Sequence, residues 1–521
     1  MGSPLASFLR LVAFEIHSRM RAAAVLAVAL LMPNAAPAGP RFADARASLP
    51  FEHVYAGGWE HFVGGGVAVL DCNDDGLPDL FAAGGDNPAR LFVNASAHDA
   101  GLRFTPGRLD DLTGVTGAYP LDIDSDGHTD LAVLRVGSNL LLRGEPGCRF
   151  SDATDQWGLG RSDAWTTSFT ATWEPDNAWP TLVFGNYVDR DDPEGPFGAC
   201  DDNALYRPHG RGYGAPVALS PGFCALSMLV SDWRRSGVPE LRISNDRHYY
   251  VRGGQEEMWR LRPLAPRGEA DGWAKLSLWG MGIASADLTG DGLPEVMLTS
   301  MGDQVLQFND GTTFTNAPYA VGASAHRPHV GDDGRPSTGW HAEFGDIDND
   351  GLLDLFIAKG NVDQMPSNAI HDPNNLLMQT PQGTFAERAM PAGIATSERS
   401  RGAALADLDG DGLLDIVVVN RRAPMEIWRN VTEDAGNWLA VELRQSGANL
   451  AAVGAWVEVR TEAGSQHREV TVGGGHAGGT SGPLHFGLGS AGSADVRVVW
   501  PDGTTGAWIA ATANQRLTLR R

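Results

Sequence analysis

Five times along the chain one fourteen-residue pattern returns. It reads "DCNDDGLPDLFAAG" from Asp71, "DIDSDGHTDLAVLR" from Asp122, "DLTGDGLPEVMLTS" from Asp287, "DIDNDGLLDLFIAK" from Asp346 and "DLDGDGLLDIVVVN" from Asp407. Two weaker copies, "WEPDNAWPTLVFGN" from Trp173 and "DWRRSGVPELRISN" from Asp232, fill the gap, so successive starts lie 51, 51, 59, 55, 59 and 61 residues apart. A repeat of that period means stacked supersecondary units, each covering its neighbour's apolar face. Small or apolar segments ("GGGVAVL", "GMGIASA", "RGAALA") precede the copies, and further strand-like runs ("ARLFVN", "VLQFND", "NNLLMQ", "MEIWRN") follow them. The unit is therefore about four short strands, and seven units arranged radially make a β-propeller. Tandem α/β units are excluded because no helical period of useful length separates the copies.

Within each copy, oxygen-bearing side chains stand at positions 1, 3, 5 and 9, glycine stands at 6, and position 7 offers a carbonyl. A hard cation such as Ca²⁺ asks for several oxygens from one tightly curled loop, and glycine permits the turn. The expected ligand sets are Asp71, Asn73, Asp75, Leu77 and Asp79; Asp122, Asp124, Asp126, His128 and Asp130; Asp287, Thr289, Asp291, Leu293 and Glu295; Asp346, Asp348, Asp350, Leu352 and Asp354; and Asp407, Asp409, Asp411, Leu413 and Asp415. About five Ca²⁺ sites follow. Thr289 and Glu295 make the third set the weakest. An EF-hand would need a twelfth-position glutamate and flanking helices, whereas here a strand pattern follows position 9. Solvated acidic turns are the bland alternative, and five copies in register argue against it. In the Asp232 copy, Arg234 stands at position 3, and a guanidinium beside Asp232 and Glu240 is expected to replace the cation.

The formal charge is −24, which recruits cations and speaks against a nucleic-acid binder. From Met20 a basic residue, a short apolar run and Ala-Pro-Ala at 36–38 read as a signal peptide over residues 1–38, with the true start possible at Met20. Three arginines and one glutamate leave with that segment, taking the charge to −26. No stretch approaches transmembrane length, so a secreted or periplasmic protein that does not span the membrane is expected. Four cysteines suit an oxidising compartment and leave three connectivities open. Cys200–Cys224, enclosing a glycine-rich stretch, is favoured, with Cys72–Cys148 as the remainder.

The repeat resembles the FG-GAP/VCBS repeat of integrin-α-type propellers, over roughly residues 50–432. The C-terminal stretch, with "VGAWVEVR", "QHREV", "HFGLG" and "VVWPDG", resembles the ASPIC/UnbV domain, departing from it where Asn449-Leu450 replaces an Asn-Arg pair. Together they resemble cartilage acidic protein-like secreted proteins, which implies Ca²⁺ binding and an extracellular setting. Read from its residues, 437–521 alternates apolar and polar positions over short strands, a small antiparallel sandwich. The expected organisation is all-β, a seven-bladed propeller over 39–436 followed by a β-sandwich over 437–521.

Signatures of nucleophilic hydrolases, zincins, P-loops and dinucleotide folds are missing. "GGGHAGG" around His476 reads as a glycine-rich turn of the small domain. His326, His329, His341 and Glu343 are a possible gathering for a transition metal. If the Asp loops occupy one propeller face, the starts of the innermost strands ring the opposite channel mouth. That ring holds Trp59, His61, Tyr119, Trp165, Trp279, Trp340, His341, Arg399 and Arg401, candidate ligands for a sugar or an anion, with blade packing as the alternative role. The irregular segment 189–224 is expected to fold over it. Two functions follow: a Ca²⁺-stapled binding or scaffold protein with a protein or glycan partner, or a carbohydrate-active lyase or hydrolase using His61 or His341 as base.

Overall fold

A computed structural model describes residues 39–97, 101–193, 199–246 and 253–521. The expected signal peptide lies outside them. From residue 40 onward the chain forms one compact unit. Seven antiparallel four-stranded sheets follow the sequence repeat, with innermost strands at Val67–Leu70, Val115–Leu121, Thr166–Thr172, Ala225–Ser231, Gly280–Ala286, Gly339–Gly345 and Ser400–Ala406. These are blades 1 to 7 of a propeller. The two weak copies supply blades 3 and 4.

The ring closes by sharing a blade between chain ends. Phe42–Asp44 is the outermost strand of blade 7, pairing Phe42 with Asn430 and Asp44 with Trp428. The apolar runs after each Asp loop become buried second strands, with Arg135 the one half-buried residue among them. Their side chains pack between blades: Ala404, Val417 and Ile427 of blade 7 join Val69, Leu80 and Phe92 of blade 1, and Ile347, Phe356 and Leu376 of blade 6 join Leu405, Ile416 and Trp428 of blade 7. Burial against the neighbour is what makes the repeat fold. Six of the seven innermost strands, all but that of blade 1, carry a register shift near their start, which bends them where they enter the channel.

The C-terminal segment is a sandwich of a three-stranded sheet (Leu484–Gly489, Asn437–Arg444, Gln515–Arg520) and a four-stranded sheet (Ser465–Glu469, Trp456–Arg460, Ser493–Val499, Ile509–Thr512). Its core includes Leu439, Val441, Val457, Phe486, Val496 and Val498. Pairing is antiparallel except between Asn437–Arg444 and Gln515–Arg520. Asn449 takes a left-handed φ of 57°, and its side-chain amide clasps Val453, donating to its carbonyl and accepting from its N–H.

The sandwich lies on the Asp-loop face. Arg516 donates to Gly76 O, Gly436 N to Asp348 O, Gly489 N to Asn349 O, and Arg235 pairs with Glu458. Between two of its strands, residues 470–483 leave the sandwich altogether and run down the propeller channel. Val472 bridges Ala171, Gly473 bridges Leu229, Gly475 bridges Ile283, Gly478 bridges Ala118 and Thr480 bridges Val69, so five innermost strands pair with one finger. The expected glycine-rich turn of the small domain is thus a plug. Its composition follows from the narrowness of the channel: a Cβ on Gly66 or Gly117 would lie 1.8 Å from the Ala477 carbonyl oxygen.

Candidate metal centres and the channel mouth

Each Asp loop is shaped by its own carboxylates. The position-1 aspartate accepts the N–H of the position-6 glycine in all five intact copies, at 2.8–3.0 Å. The position-5 aspartate accepts the N–H of position 7 at 2.8–2.9 Å, through Leu77, His128, Leu293, Leu352 and Leu413. Glycine at 6 is left-handed throughout, and Gly412 also leaves room for Trp438, whose Nε1 would lie 1.8 Å from a Cβ there. Position 4 is left-handed as well, at Asp74, Ser125, Asp176, Arg235, Gly290, Asn349 and Gly410. The sequence pattern did not expose this, because seven copies fill that position with five residue types.

Position 9 has a second duty. Asp79, Asp130, Glu295, Asp354 and Asp415 are buried, and each accepts two backbone N–H groups, one from loop position 2 and one from the third strand of its blade. The third strands reach further. Asn94, Asn309 and Asn430 each donate to the position-8 carbonyl of their own loop and to the position-2 residue of the preceding blade (Leu408, Trp233 and Ile347). Gln379 reaches Leu288 in the same way. The loops are stitched into a ring.

Three loops gather carboxylates within 4.8 Å of one another: Asp122, Asp124 and Asp130; Asp346, Asp348 and Asp354; Asp407, Asp409 and Asp411. Four carboxylate oxygens there are buried without a hydrogen-bond partner: Asp124 Oδ1, Asp348 Oδ1, Asp407 Oδ1 and Asp409 Oδ1. Burial, reinforced by neighbouring carboxylates, pushes Asp122 and Asp348 up to about 6, Asp407 to about 7 and Asp130 to about 8. Buried, unpartnered anions are expensive unless a cation compensates them. All-oxygen donors in a curled loop suit Ca²⁺ in preference to a softer metal, so the residues fit the group.

The other two intact loops differ. At Asp71 the amide of Asn73 donates to Asp75, and the disulfide Cys72–Cys148 ties the loop to blade 2. At Asp287, where Thr289 has already removed one carboxylate, His467 of the sandwich lies 2.7 Å from the position-1 oxygen. Arginine enters two of the acidic loops from the third strand: Arg143 holds Asp124 and Asp126, and Arg429 holds Asp409 and Asp411. In both cases the guanidinium takes Oδ2 of position 3 and leaves Oδ1 facing inward unpartnered.

The degenerate loops contain arginine, though not the expected one. Arg234 stacks on Trp233 with its guanidinium 4.2 Å from the ring centroid and donates to Thr312 O. Glu240 is paired instead by Arg267, 2.6 Å away, and Glu174 in the Trp173 copy is paired by Arg207 and Arg262. Arg234 is too short to fold back once it lies along the indole, whereas Arg267 arrives from the fourth strand.

At the opposite mouth the expected ring is mostly interior. Trp165 and Trp340 are fully buried, as are Arg401 and Tyr119, while His61 and His341 are 3% exposed. Trp340 donates to Gly360 O, and its ring carries the Arg401 guanidinium at 4.0 Å and His476 at 5.1 Å. Arg401 donates to the carbonyls of Phe62, Ser400, Asn361 and Val362. His341 Nδ1 accepts the His476 N–H, so that imidazole holds the plug. His326 and His329 are not gathered with His341: His326 meets Tyr319, and His329 lies 3.2 Å from Asn375 and 3.7 Å from Glu387. Trp279 is half-buried, and Trp59 is 45% exposed, its edge on Trp165 at 4.9 Å. The segment 189–224 is pinned by Cys200–Cys224 and also supplies two strands of blade 3, Asn203–Tyr206 and Val217–Leu219. Beside it a cleft of about 340 Å³ is lined by Asp163, Asp189, Asp191 and Asp201 together with Arg190. Among the described residues no helix is long and apolar enough to cross a membrane.

Comparison with known proteins places these features in families. Residues 71–133, 287–357 and 346–418 match the FG-GAP-like repeat family, and residues 445–521 match the ASPIC and UnbV family. Human cartilage acidic protein 1 is 29% identical over 163 residues, 30% of this chain and 24% of that protein. The mouse protein of that name is 33% identical over 109 residues, 20% of this chain and 17% of its own length. The chain thus spans about a quarter or less of the curated relatives it matches. Among solved structures, the extracellular domain of a putative hybrid two-component system from B. thetaiotaomicron aligns over 93% of this chain and 58% of its own, with TM-score 0.41 and 9% identity.

Proposed function

We propose that this chain, FG-GAP-like repeats followed by an ASPIC/UnbV domain, is an exported calcium-stapled scaffold that recognises a protein or glycan partner through the channel-mouth face opposite its Asp loops. The observation that carries the calcium reading is the set of four buried carboxylate oxygens without partners in the loops of blades 2, 6 and 7. Those three loops are the strongest sites, and the loops at Asp71 and Asp287 complete the five at lower affinity. The ion supplies positive charge and a multidentate centre; the chain's residues curl the loop and brace it against the third strand.

The location of the partner face follows from what is already occupied. The sandwich covers the Asp-loop face and its finger fills the channel, which leaves the mouth around Trp59 as the outward surface of the ring. The placement of His61 and His341 gives catalysis no support, since one is buried and the other binds the plug. Export rests on the leader-like residues 1–38 and two disulfides.

Elemental analysis and calorimetric titration of chelator-stripped protein test the metal reading, with calcium expected to bind and raise the melting temperature. A glycan array and pull-down with wild type and Trp59→Ala test the face. Unaltered retention of every ligand by the variant would remove it.

A further inference from the structure

At the channel mouth, three arginines converge on one aspartate in a chain that is otherwise strongly acidic. Arg399, Arg421 and Arg422 all reach the same oxygen, Asp363 Oδ1, at 3.1, 2.9 and 3.2 Å. Arg401 lies buried behind them, satisfied by backbone carbonyls. Asp86, its side chain 66% exposed, pairs with His61 at 3.4 Å. Glu60 is taken by Arg190. Asp363 thus meets three guanidinium groups, with a fourth buried behind them.

That cluster is built, not accidental. Arg421 is 2% exposed, and its guanidinium is held below its ordinary value by burial, against the pull of Asp363 and with the push of Arg422. Burying like charges together costs free energy that a bound anion recovers. Arg399 and Arg422 are the two exposed members, with side chains 28% and 45% exposed. A guanidinium has five N–H donors in a fork suited to two oxygens of one carboxylate or sulfate. Among the described residues the Arg399 side chain donates to Asp363 alone, so its fork is largely free.

The same cluster positions an aromatic platform. Arg421 and Arg422 donate to the carbonyls of Gly57 and Gly58, the two residues before Trp59. Trp59 rests edge-on against Trp165 and tilted against Phe62, leaving its ring in solvent. An exposed indole two residues beyond the carbonyl that Arg422 holds, with Arg399 and Arg422 both reaching solvent, matches a ligand with one flat apolar face and one anionic group. An acidic peptide offers the anion without the face. A neutral sugar offers the face without the anion.

We propose that the mouth formed by Trp59, Arg399 and Arg422 binds an anionic saccharide, its carboxylate or sulfate between the two guanidinium groups and its ring stacked on the indole. This rests on the reading of the channel-mouth face as the partner surface and names the ligand class for it. Arg421 and Asp363 fix the geometry without needing exposure.

The test is calorimetric titration of the mature, calcium-loaded protein with three tetrasaccharides: tetragalacturonate, a chondroitin sulfate tetramer and neutral cellotetraose. The first offers carboxylates alone, and the second offers sulfates alongside its uronate carboxylates. Arg399→Gln/Arg422→Gln and Trp59→Ala, exposed changes checked by an unaltered melting temperature, are compared with wild type. Binding of at least one acidic probe, weakened about tenfold or more by either variant and by raised salt, with cellotetraose silent, is the expected result. Binding that Trp59→Ala abolishes and the arginine variant does not change overturns the anionic class and leaves the partner face standing. Binding indifferent to both variants, or no binding of either acidic probe, overturns the inference; a pull-down partner lost on Trp59→Ala would still keep the face. Equal binding of oligoglutamate, without dependence on Trp59, assigns the arginines to acidic peptides and also overturns it.

Discussion

The backbone N–H of His476, at the tip of the finger, donates to Nδ1 of His341 in blade 6 across 3.0 Å. On its other sides the His476 ring accepts from Gly64 N through Nε2 at 3.2 Å and donates through Nδ1 to Met281 O at 2.9 Å. The network therefore requires neutral imidazole in the Nδ1–H form. One residue of the C-terminal segment joins blades 1, 5 and 6 at the far end of a channel entered from the opposite face.

That arrangement sets a pH dependence. Burial pushes His476 down to about 3. The unfolded chain, with an ordinary value near 6.5, takes up the proton first, so the stability contributed by neutral His476 is complete above about pH 6.5 and is lost as pH falls from there towards 3. At pH 5 the loss approaches about 2 kcal/mol. Chemical denaturation of wild type and His476→Gln from pH 7.5 to 4.5 isolates it, since the Asp loops titrate alike in both. Parallel curves would show that the tip histidine is not held neutral.

Calcium should act on the whole ring, because position 9 joins each loop to its blade and the third-strand amides join each blade to the next. A ligand bound only by the folded state stabilises it by about 2.7 kcal/mol per site at a free concentration 100-fold above its dissociation constant. Excess chelator is expected to lower the melting temperature by many degrees, and Asp348→Ala to remove one ion per chain. Unchanged melting on chelation contradicts the assignment.

Arg429 and Asp409 make a separate point about the same loops. The guanidinium occupies Oδ2 and orients Oδ1 inward. Were the arginine a substitute for the ion, Arg429→Gln would strengthen calcium binding. If it positions the ligand, the change weakens binding at that site by about tenfold and leaves the other sites untouched. Site-resolved titration with a luminescent lanthanide in the calcium loops distinguishes the two, and weakening is expected.

The seam between blades 7 and 1 is open to a similar test at Asn94, whose amide donates to Pro78 O and Leu408 O. Asn94→Ala leaves both carbonyls short of a partner and should cost about 1–3 kcal/mol of stability without changing calcium stoichiometry. A melting temperature equal to wild type would mean the stitch carries no load.

Much of this was legible in the chain because the propeller repeats its instructions. An aspartate at position 1 and glycine at position 6 recur wherever the loop must curl, and the apolar runs after position 9 mark strands buried between blades. Even the stitches left a trace, since the third-strand segments end in Asn94, Asn309, Gln379 and Asn430, yet their partners stand in another repeat and pairing across repeats has no local signal. Position 4 was hidden by its varied occupants. Arg429 was hidden by distance from Asp409, and Arg234 misled because adjacency in sequence put it next to the carboxylates while Trp233 drew it away. The plug was least legible: its contacts are backbone hydrogen bonds, such as Ala118 N to Ala477 O, between segments more than 300 residues apart. Only its glycines were visible, and glycine alone also reads as a surface turn.

The plug yields the last prediction. Gly117 lies where a Cβ would meet the Ala477 carbonyl oxygen at 1.8 Å, a contact that backbone on both sides cannot relieve by rotating a side chain. Gly117→Ala should therefore push the finger off blades 1 and 2. Those blades keep their own ladders, because the strand Val115–Leu121 pairs with Asp130–Arg135 through its full length apart from one bulge. The expected cost is about 1–3 kcal/mol, as for other overpacked interiors. The expected signature is local: amides such as Val69 N and Ala118 N, which donate to Gly479 O and Ala477 O, lose hydrogen-exchange protection, and residues 470–483 become open to proteases. The calcium loops lie at the other end of those strands and should bind as before. If the amides stay protected and the finger resists cleavage, the finger is not held against Gly117 in the channel.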